Sequence, residues 1–227
     1  MINAYLQSSI GRKQIVAATG LLLILFILGH LAGNLLIYLG PEAYNGYSKK
    51  FMSLRPGLYL IEFALLWLFV VHMWVTATLV LENIKARGEK GYAVFKAVGN
   101  RSLATRLMPY TGTIILIFVI THLLDFTFVK HEGPNSLIYG VDQGLYGLVF
   151  NTFKNPLHSL WYIIAVCCLG LHLSHGIQSF VQTFGYNHPT GTPLIRKLSN
   201  LLALAVTILY CSIPVYILLK PQLACCG

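Results

Sequence analysis

The chain has 227 residues and a formal charge of +9, yet only 10% of its residues are charged and 56% are hydrophobic. A soluble domain has about 25% charged residues, so this composition excludes an ordinary soluble fold and predicts a chain that lies in the lipid bilayer. An apolar run of about 20 residues crosses the hydrocarbon core as a helix. Five such runs predict an all-α integral membrane bundle of five transmembrane helices in a single domain, 1–227: about 14–39, 58–82, 108–129, 158–182 and 200–219.

The 16 Lys and Arg residues lie between these runs, which argues against a nucleic-acid partner and instead predicts an orientation. Ten of them precede the first span or lie between the second and third or the fourth and fifth spans, and six lie on the other side. The positive-inside rule therefore predicts a cytoplasmic N-terminus and a C-terminus outside. The outer segments 40–57 and 130–157 are rich in turn-forming residues, which predicts loops.

Two apolar runs share a pattern that ends in histidine. TGLLLILFILGHL begins at Thr19 and TGTIILIFVITHL begins at Thr111. Polar groups deep in the bilayer are costly and by default indicate function. Four of the five spans carry such a histidine: His30, His72, His122 and His172.

The depth of each histidine follows from the direction of its span and a rise of about 1.5 Å per residue. His30 and His122 lie about 16 and about 14 residues into spans that run outward, so both are predicted on the outer side of the midplane. His72 and His172 each lie about 14 residues into spans that run inward, so both are predicted on the inner side. The four histidines therefore form two pairs at two levels.

Two imidazoles that face each other across a bundle can be the axial ligands of one haem. The two levels predict two b haems, with His30 and His122 on the outer iron and His72 and His172 on the inner iron. His175 is a rival inner ligand, because residues three apart share a helix face. The alternative for each histidine is an interhelical hydrogen bond.

Small and polar residues near these histidines are candidate cofactor contacts. Gly29 and Gly33 flank His30 and would admit a flat macrocycle, although GHLAG is also a GxxxG helix contact. Haem propionates need cations or hydroxyls, and basic loop residues can also serve only to set topology. The inner candidates are Arg106, Lys85 and Ser174, and the outer candidates are Lys49, Lys50, Arg55, Tyr44 and Tyr47.

Two of the seven acids lie near the outer level of the predicted spans. Glu62 is four residues into the second span and Asp125 is three residues after His122. Either acid could accept a proton when a quinol is oxidised, which makes the two a candidate quinone and proton site. Glu62 could instead be a helix-terminal carboxylate, because the helix dipole favours an anion in the first turns. Asp125 lies near a helix C-terminus, where the dipole disfavours an anion.

The motifs together resemble one family. SIGRK, GHLAGNL, RPGLYLIE, VVHMW, ITHL and especially LHLSHGIQSFVQTFGYNHP resemble the single-polypeptide, two-haem cytochrome b subunit of succinate:quinone oxidoreductases, the succinate dehydrogenases and fumarate reductases. The resemblance covers all five spans. It implies an anchor in the bacterial cytoplasmic membrane that carries two b haems, uses menaquinone, and binds a flavoprotein and an iron–sulfur protein at its cytoplasmic face. It also implies the same ligand pairs and favours His172 over His175.

The resemblance implies a subunit that passes electrons between menaquinone and the iron–sulfur subunit and performs no dicarboxylate chemistry itself. Some two-haem fumarate reductases carry a glutamate two residues before the ligand in the fourth helix, where this chain has Gly170. Proton transfer across the membrane by that route is therefore not expected. The alternatives are the cytochrome b subunit of a membrane hydrogenase or formate dehydrogenase, and a transporter that lines a path with histidines and binds no haem.

Overall fold

The computed structural model describes Tyr5 and residues 8–87 and 103–220. The helices in these residues are α1 (Ser9–Asn34), α2 (Pro41–Met52), α3 (Gly57–Arg87), α4 (Leu103–Phe126), α5 (Gly144–Lys154), α6 (Pro156–Thr183) and α7 (Gly191–Leu219). Short 3₁₀ turns cover Leu35–Leu39 and Pro134–Ser136, and a two-residue hairpin pairs β1 (Leu137–Ile138) with β2 (Val141–Asp142).

Five helical segments in this part of the chain are long and apolar enough to cross a membrane. They are Ser9–Leu39, Gly57–Ala86, Leu103–Phe126, Pro156–Thr183 and Gly191–Leu219. The predicted class, an all-α integral membrane protein with five spans, is confirmed. The orientation of the termini stays a prediction.

The last span shows the largest difference in boundary. α7 begins at Gly191, whereas the apolar run begins at about residue 200. The first turn of a helix has no acceptors for its N–H groups, so Pro193 and the polar residues around it can begin a helix before the apolar stretch starts. Hydropathy marks the lipid-facing part of such a helix and misses its polar beginning.

The two outer segments predicted as loops instead contain helices. α2 begins with Pro41 and has Glu42 in its first turn and Lys49 and Lys50 in its last turn, which matches the helix dipole at both ends. α5 begins at Gly144, which has a positive φ of 56°, a conformation that glycine adopts readily. Glycine, proline and asparagine stand at the boundaries of these short helices, which is why their sequences resemble loops.

Contacts divide the chain into two compact units. The first unit contains Met1–Ile27, Tyr59–Thr113 and Gly170–Leu204, and the second contains Leu28–Leu58, Ile114–Leu169 and Ala205–Gly227, each counted over its described residues. The prediction of a single membrane domain stays a prediction.

The second unit has a dense core. Its buried members are mostly aromatic and β-branched residues: Ile37, Tyr44, Tyr146, Val149, Phe150, Phe153, Tyr162, Ile213 and Ile217. Asn45 joins α2 to α5 because its Nδ2 donates to Gln143 O at 2.8 Å and its Oδ1 accepts from Tyr146 N at 3.0 Å. These two hydrogen bonds connect α2 with the start of α5 beside the core.

The Asp142 carboxylate orders the hairpin of the second unit. It accepts the backbone N–H groups of Gly133 and Gly144, each at 2.9 Å. These two bonds hold the pKa of Asp142 below its usual range, because they favour the charged form.

The first unit buries fewer and smaller side chains. Those buried among its described residues are Ala17, Thr19, Thr111, Leu173, Ser199 and Ala203. An ion pair between Arg12 and Glu82 at 2.5 Å connects α1 with α3. Both partners are partly exposed, so this pair contributes little to stability.

Candidate functional site

Two histidines of the first unit each meet a threonine from another helix. Thr19 Oγ1 of α1 lies 3.0 Å from Nδ1 of His72 in α3. Thr111 Oγ1 of α4 lies 3.2 Å from Nδ1 of His172 in α6. Both threonines open one of the repeated sequences, and both are buried. The threonine of each Thr-Gly pair therefore makes the same contact with a histidine of this unit.

The threonine hydroxyls also lie close to carbonyls of their own helices. Thr19 Oγ1 is 2.8 Å from Ile15 O, and Thr111 Oγ1 is 3.1 Å from Leu107 O. A hydroxyl has one proton and a carbonyl can only accept, so each hydroxyl donates to the carbonyl and accepts a hydrogen bond from the imidazole Nδ1–H. The neutral imidazole then has its lone pair on Nε2, the nitrogen left to bind a metal.

The glycine after each threonine makes room for the same imidazole. A Cβ at Gly20 would lie 3.3 Å from His72 Cε1, and a Cβ at Gly112 would lie 3.6 Å from His172 Cε1. The Thr-Gly pair therefore bonds one nitrogen of the ring and leaves space for the neighbouring carbon. The repeat in the sequence was the signal for these contacts, but sequence reasoning assigned a role only to its histidines.

His175, the predicted rival of His172, has a threonine partner of its own. Thr105 Oγ1 lies 3.1 Å from His175 Nδ1. His172 interacts electrostatically with both His72 and His175. The structure therefore brings His72 close to His172, while the choice between His172 and His175 as ligand stays a prediction.

The histidine pair of the second unit lies among aromatic rings. The centroids of His30 and His122 are 5.7 Å apart, with their planes at 89°. Phe118, Phe126 and Tyr162 surround His122 with centroids at 5.8, 5.3 and 6.2 Å. The Nδ1 atom of His122 is buried and has no hydrogen-bond partner among the described residues. A buried polar atom left without a partner costs about 1–3 kcal/mol, which points to a functional reason for keeping it.

Both pairs fit the chemistry of a haem with two axial histidines. Each pair combines two imidazoles from different helices, and a Cβ at Gly29 or Gly176 would meet no atom within 4 Å. Gly33 differs, because Tyr47 packs against it and a Cβ there would lie 2.7 Å from the ring. The described residues contain no group of three or more metal-binding side chains, whereas a haem iron requires only two.

The candidate propionate contacts differ in their surroundings. Arg106 is exposed. Ser174 donates to Leu171 O of its own helix at 2.8 Å. Tyr44 is buried and donates to Asn34 Oδ1 at 3.2 Å, and Asn34 donates in turn to His30 O at 2.8 Å. Burial raises the pKa of Tyr44, so its hydroxyl keeps its proton.

Asp125 of the second unit holds two partners that sequence reasoning missed. Its Oδ2 accepts the Tyr162 hydroxyl at 2.7 Å and lies 2.9 Å from His158 Nε2. Asp125 also interacts electrostatically with His122. His158 and Tyr162 lie one turn apart at the start of α6, a spacing that places both on one helix face. The carboxylate, the imidazole and the phenol form a connected set of proton-exchanging groups beside a predicted ligand.

Glu62 does not share this arrangement. It is exposed in the first turns of α3 and belongs to the first unit, whereas Asp125 belongs to the second. The two predicted acids therefore belong to different units, and a quinone and proton site that uses both stays a prediction.

The fold and these residues define a multi-pass α-helical membrane protein with a pair of intramembrane histidines in each unit. Over 183 residues the chain is 25% identical to the succinate dehydrogenase cytochrome b558 subunit of Bacillus subtilis (strain 168), a match that covers 80% of this chain and 81% of the relative. The resemblance indicated by the sequence motifs is thereby confirmed. No protein-family model matches the chain, and no solved structure matches it.

Proposed function

We propose that this chain is the membrane-anchor cytochrome b subunit of a succinate dehydrogenase or fumarate reductase. The observation that carries the proposal is the presence of one histidine pair in each unit, His30 with His122 and His72 with His172. The Bacillus subtilis relative supports it, because that protein is named as a cytochrome subunit of succinate dehydrogenase.

The four histidines hold two b haems, one for each pair. Bound haem would supply a one-electron carrier, and the protein would supply the histidines that hold it and its surroundings. The Nε2 atoms of His72 and His172 would bind the iron, because their Nδ1 atoms lie against the threonine hydroxyls. The aromatic rings around His122 keep that imidazole away from water.

Asp125 receives a proton when quinol is oxidised and returns one when quinone is reduced. Quinol oxidation releases two electrons and two protons, so an acceptor for protons must lie beside the quinone. His158 shares the Asp125 Oδ2 atom with Tyr162 and offers the next acceptor toward the membrane edge. Glu62 is a second candidate for proton exchange and lies exposed on α3.

The quinone is menaquinone, and the partners are a flavoprotein and an iron–sulfur protein on the cytoplasmic face of a bacterial membrane. The 85–106 segment carries six basic residues, which supports a cytoplasmic position for the connection between α3 and α4. Dicarboxylate chemistry takes place on the partner subunits.

A pyridine haemochrome assay on the purified complex tests the proposal. We expect two haem b per copy of this chain and copurification of a flavoprotein and an iron–sulfur protein. A ratio near zero would contradict electron transfer and favour the transporter alternative. A ratio of one would contradict the two-pair assignment while leaving a cytochrome.

A further inference from the structure

The Thr-Gly dipeptide at the start of each repeat acts on a histidine of another helix. Thr19 and Thr111 each precede their own helix's histidine by eleven residues, which is about three turns. In one helix the threonine and the histidine therefore share a face. Each of α1 and α4 thus carries a ligand for one pair and a hydrogen-bond acceptor for the other pair.

The hydrogen bond to the imidazole is not needed by the threonine. Thr19 and Thr111 already donate to carbonyls one turn back in their own helices, as buried threonines in helices commonly do. The imidazole is the group that gains, because the hydroxyl gives its Nδ1–H an acceptor in an apolar environment. Two separate helix pairs, α1 with α3 and α4 with α6, make this contact with the same atoms.

An acceptor on Nδ1–H has known consequences for a metal bound at Nε2. It fixes the tautomer, restricts rotation of the ring and raises the basicity of the ligand. A more basic ligand stabilises the ferric form, which lowers the midpoint potential of the haem. His122 in the second unit lacks such an acceptor among the described residues.

We propose that Thr19 and Thr111 are positioning residues that set the tautomer of His72 and His172 and lower the midpoint potential of the haem held by that pair. The proposal depends on the proposed function. It assigns both threonines, on two different helices, to the same haem. Neither threonine acts on the haem of His30 and His122.

The test is a redox titration of the haem absorbance in the intact complex, with Thr19→Val and Thr111→Val compared with wild type. Valine keeps the shape of threonine and removes the hydroxyl. We expect each variant to raise the midpoint potential of the same one of the two haems and to leave the other unchanged. Repeating the titration with His122→Ala, which retains only the His72 and His172 haem, shows which potential moved.

Two further variants separate positioning from general damage. Thr111→Ser keeps the hydroxyl, so we expect the wild-type potential and wild-type g-values in the electron paramagnetic resonance spectrum of the ferric haem. Thr113→Val removes a hydroxyl from the same helix that donates to Pro109 O at 3.0 Å, and we expect no shift. Loss of that single haem in Thr111→Val, restored by serine, would also support the proposal.

Other results would overturn it. Unchanged potentials in both valine variants, equal shifts of both haems, or a loss that serine does not restore would each contradict a positioning role while leaving the proposed function intact. A wild-type complex without haem would contradict the proposed function and this inference together.

Discussion

The two units hold their histidine pairs by different means. In the second unit, His30 and His122 lie among aromatic rings next to a dense core. In the first unit, few large side chains are buried, and His72 and His172 are held by hydrogen bonds to Thr19 and Thr111. Packing restricts a ring by shape, whereas a hydrogen bond restricts it by direction and also fixes its tautomer. A unit with little packing therefore depends more on its polar contacts.

The first prediction concerns the ligands and has the largest expected effect. His122→Ala should remove one haem and His172→Ala should remove the other, so each single variant retains about half of the haem measured as pyridine haemochrome. The remaining haem should differ between the two variants in its midpoint potential, because each unit holds its own pair.

His175→Ala is the matched control, because His175 lies three residues from His172 and has its own threonine partner. We expect this variant to retain both haems. If His175→Ala loses a haem and His172→Ala does not, the ligand assignment in the first unit is wrong. If either ligand variant loses both haems, the two units do not bind independently.

The second prediction concerns Asp125, the carboxylate that contacts His158 and Tyr162. Asp125→Asn should lower quinone-dependent turnover by about 100-fold, the low end of the effect of a positioned acid or base. Haem content and midpoint potentials should be retained, because asparagine keeps the shape and one acceptor oxygen. Steady-state assays with a soluble menaquinone analogue measure the turnover.

Asp142→Asn provides the control, because it neutralises another acid of the second unit outside the spans. Wild-type turnover is expected for it. Loss of the haem assigned to His30 and His122 in Asp125→Asn would indicate that the carboxylate supports the fold of the ligand pair, and would contradict a role in proton transfer.

Much of the fold could be predicted from the sequence, because a span needs only sufficient length and apolar character. Helix α7 began earlier than predicted because Thr192 and Pro193 suit a first turn but not an apolar run. Helices α2 and α5 were missed because glycine and proline at their ends indicate turns. Local sequence there does not reveal how much apolar surface the neighbouring residues will bury.

The candidate site was only partly predictable. The histidines stand out because polar side chains are rare in lipid, and their depth follows from helix geometry. Thr19 and Tyr162 do not stand out, since their partners His72 and Asp125 lie on other helices. The rotation of a helix about its axis decides such contacts, and a helix that is apolar on all sides gives no stripe from which to derive that rotation.

The third prediction tests the limited space around the histidines of the first unit. Gly20→Ala should alter the haem spectrum of that unit, because its Cβ would lie 3.3 Å from His72 Cε1 and the ring must shift by a few tenths of an ångström. Gly112→Ala should have a smaller effect, because its Cβ would lie at an ordinary contact distance of 3.6 Å from His172 Cε1. Electron paramagnetic resonance of the ferric haems measures the difference. Equal effects, or a larger effect of Gly112→Ala, would show that the imidazoles do not lie against these glycines.

The last and smallest effect is expected at Asp142, in the hairpin of the second unit. The N–H groups of Gly133 and Gly144 lower the pKa of Asp142 in the folded protein. The carboxylate therefore stabilises the fold at pH values above its unfolded pKa of about 3.9. This stabilisation is lost as the pH falls through the lower pKa of the folded state. Asp142→Ala should therefore raise amide hydrogen exchange in residues 133–144 at neutral pH, whereas exchange around Thr19 and His72 should not change. In wild type, protection of residues 133–144 should decrease at acidic pH, and the variant should lack this step. An equal rise in exchange in both units would mean that the carboxylate supports more than its own hairpin, and that the two units are not independent in stability.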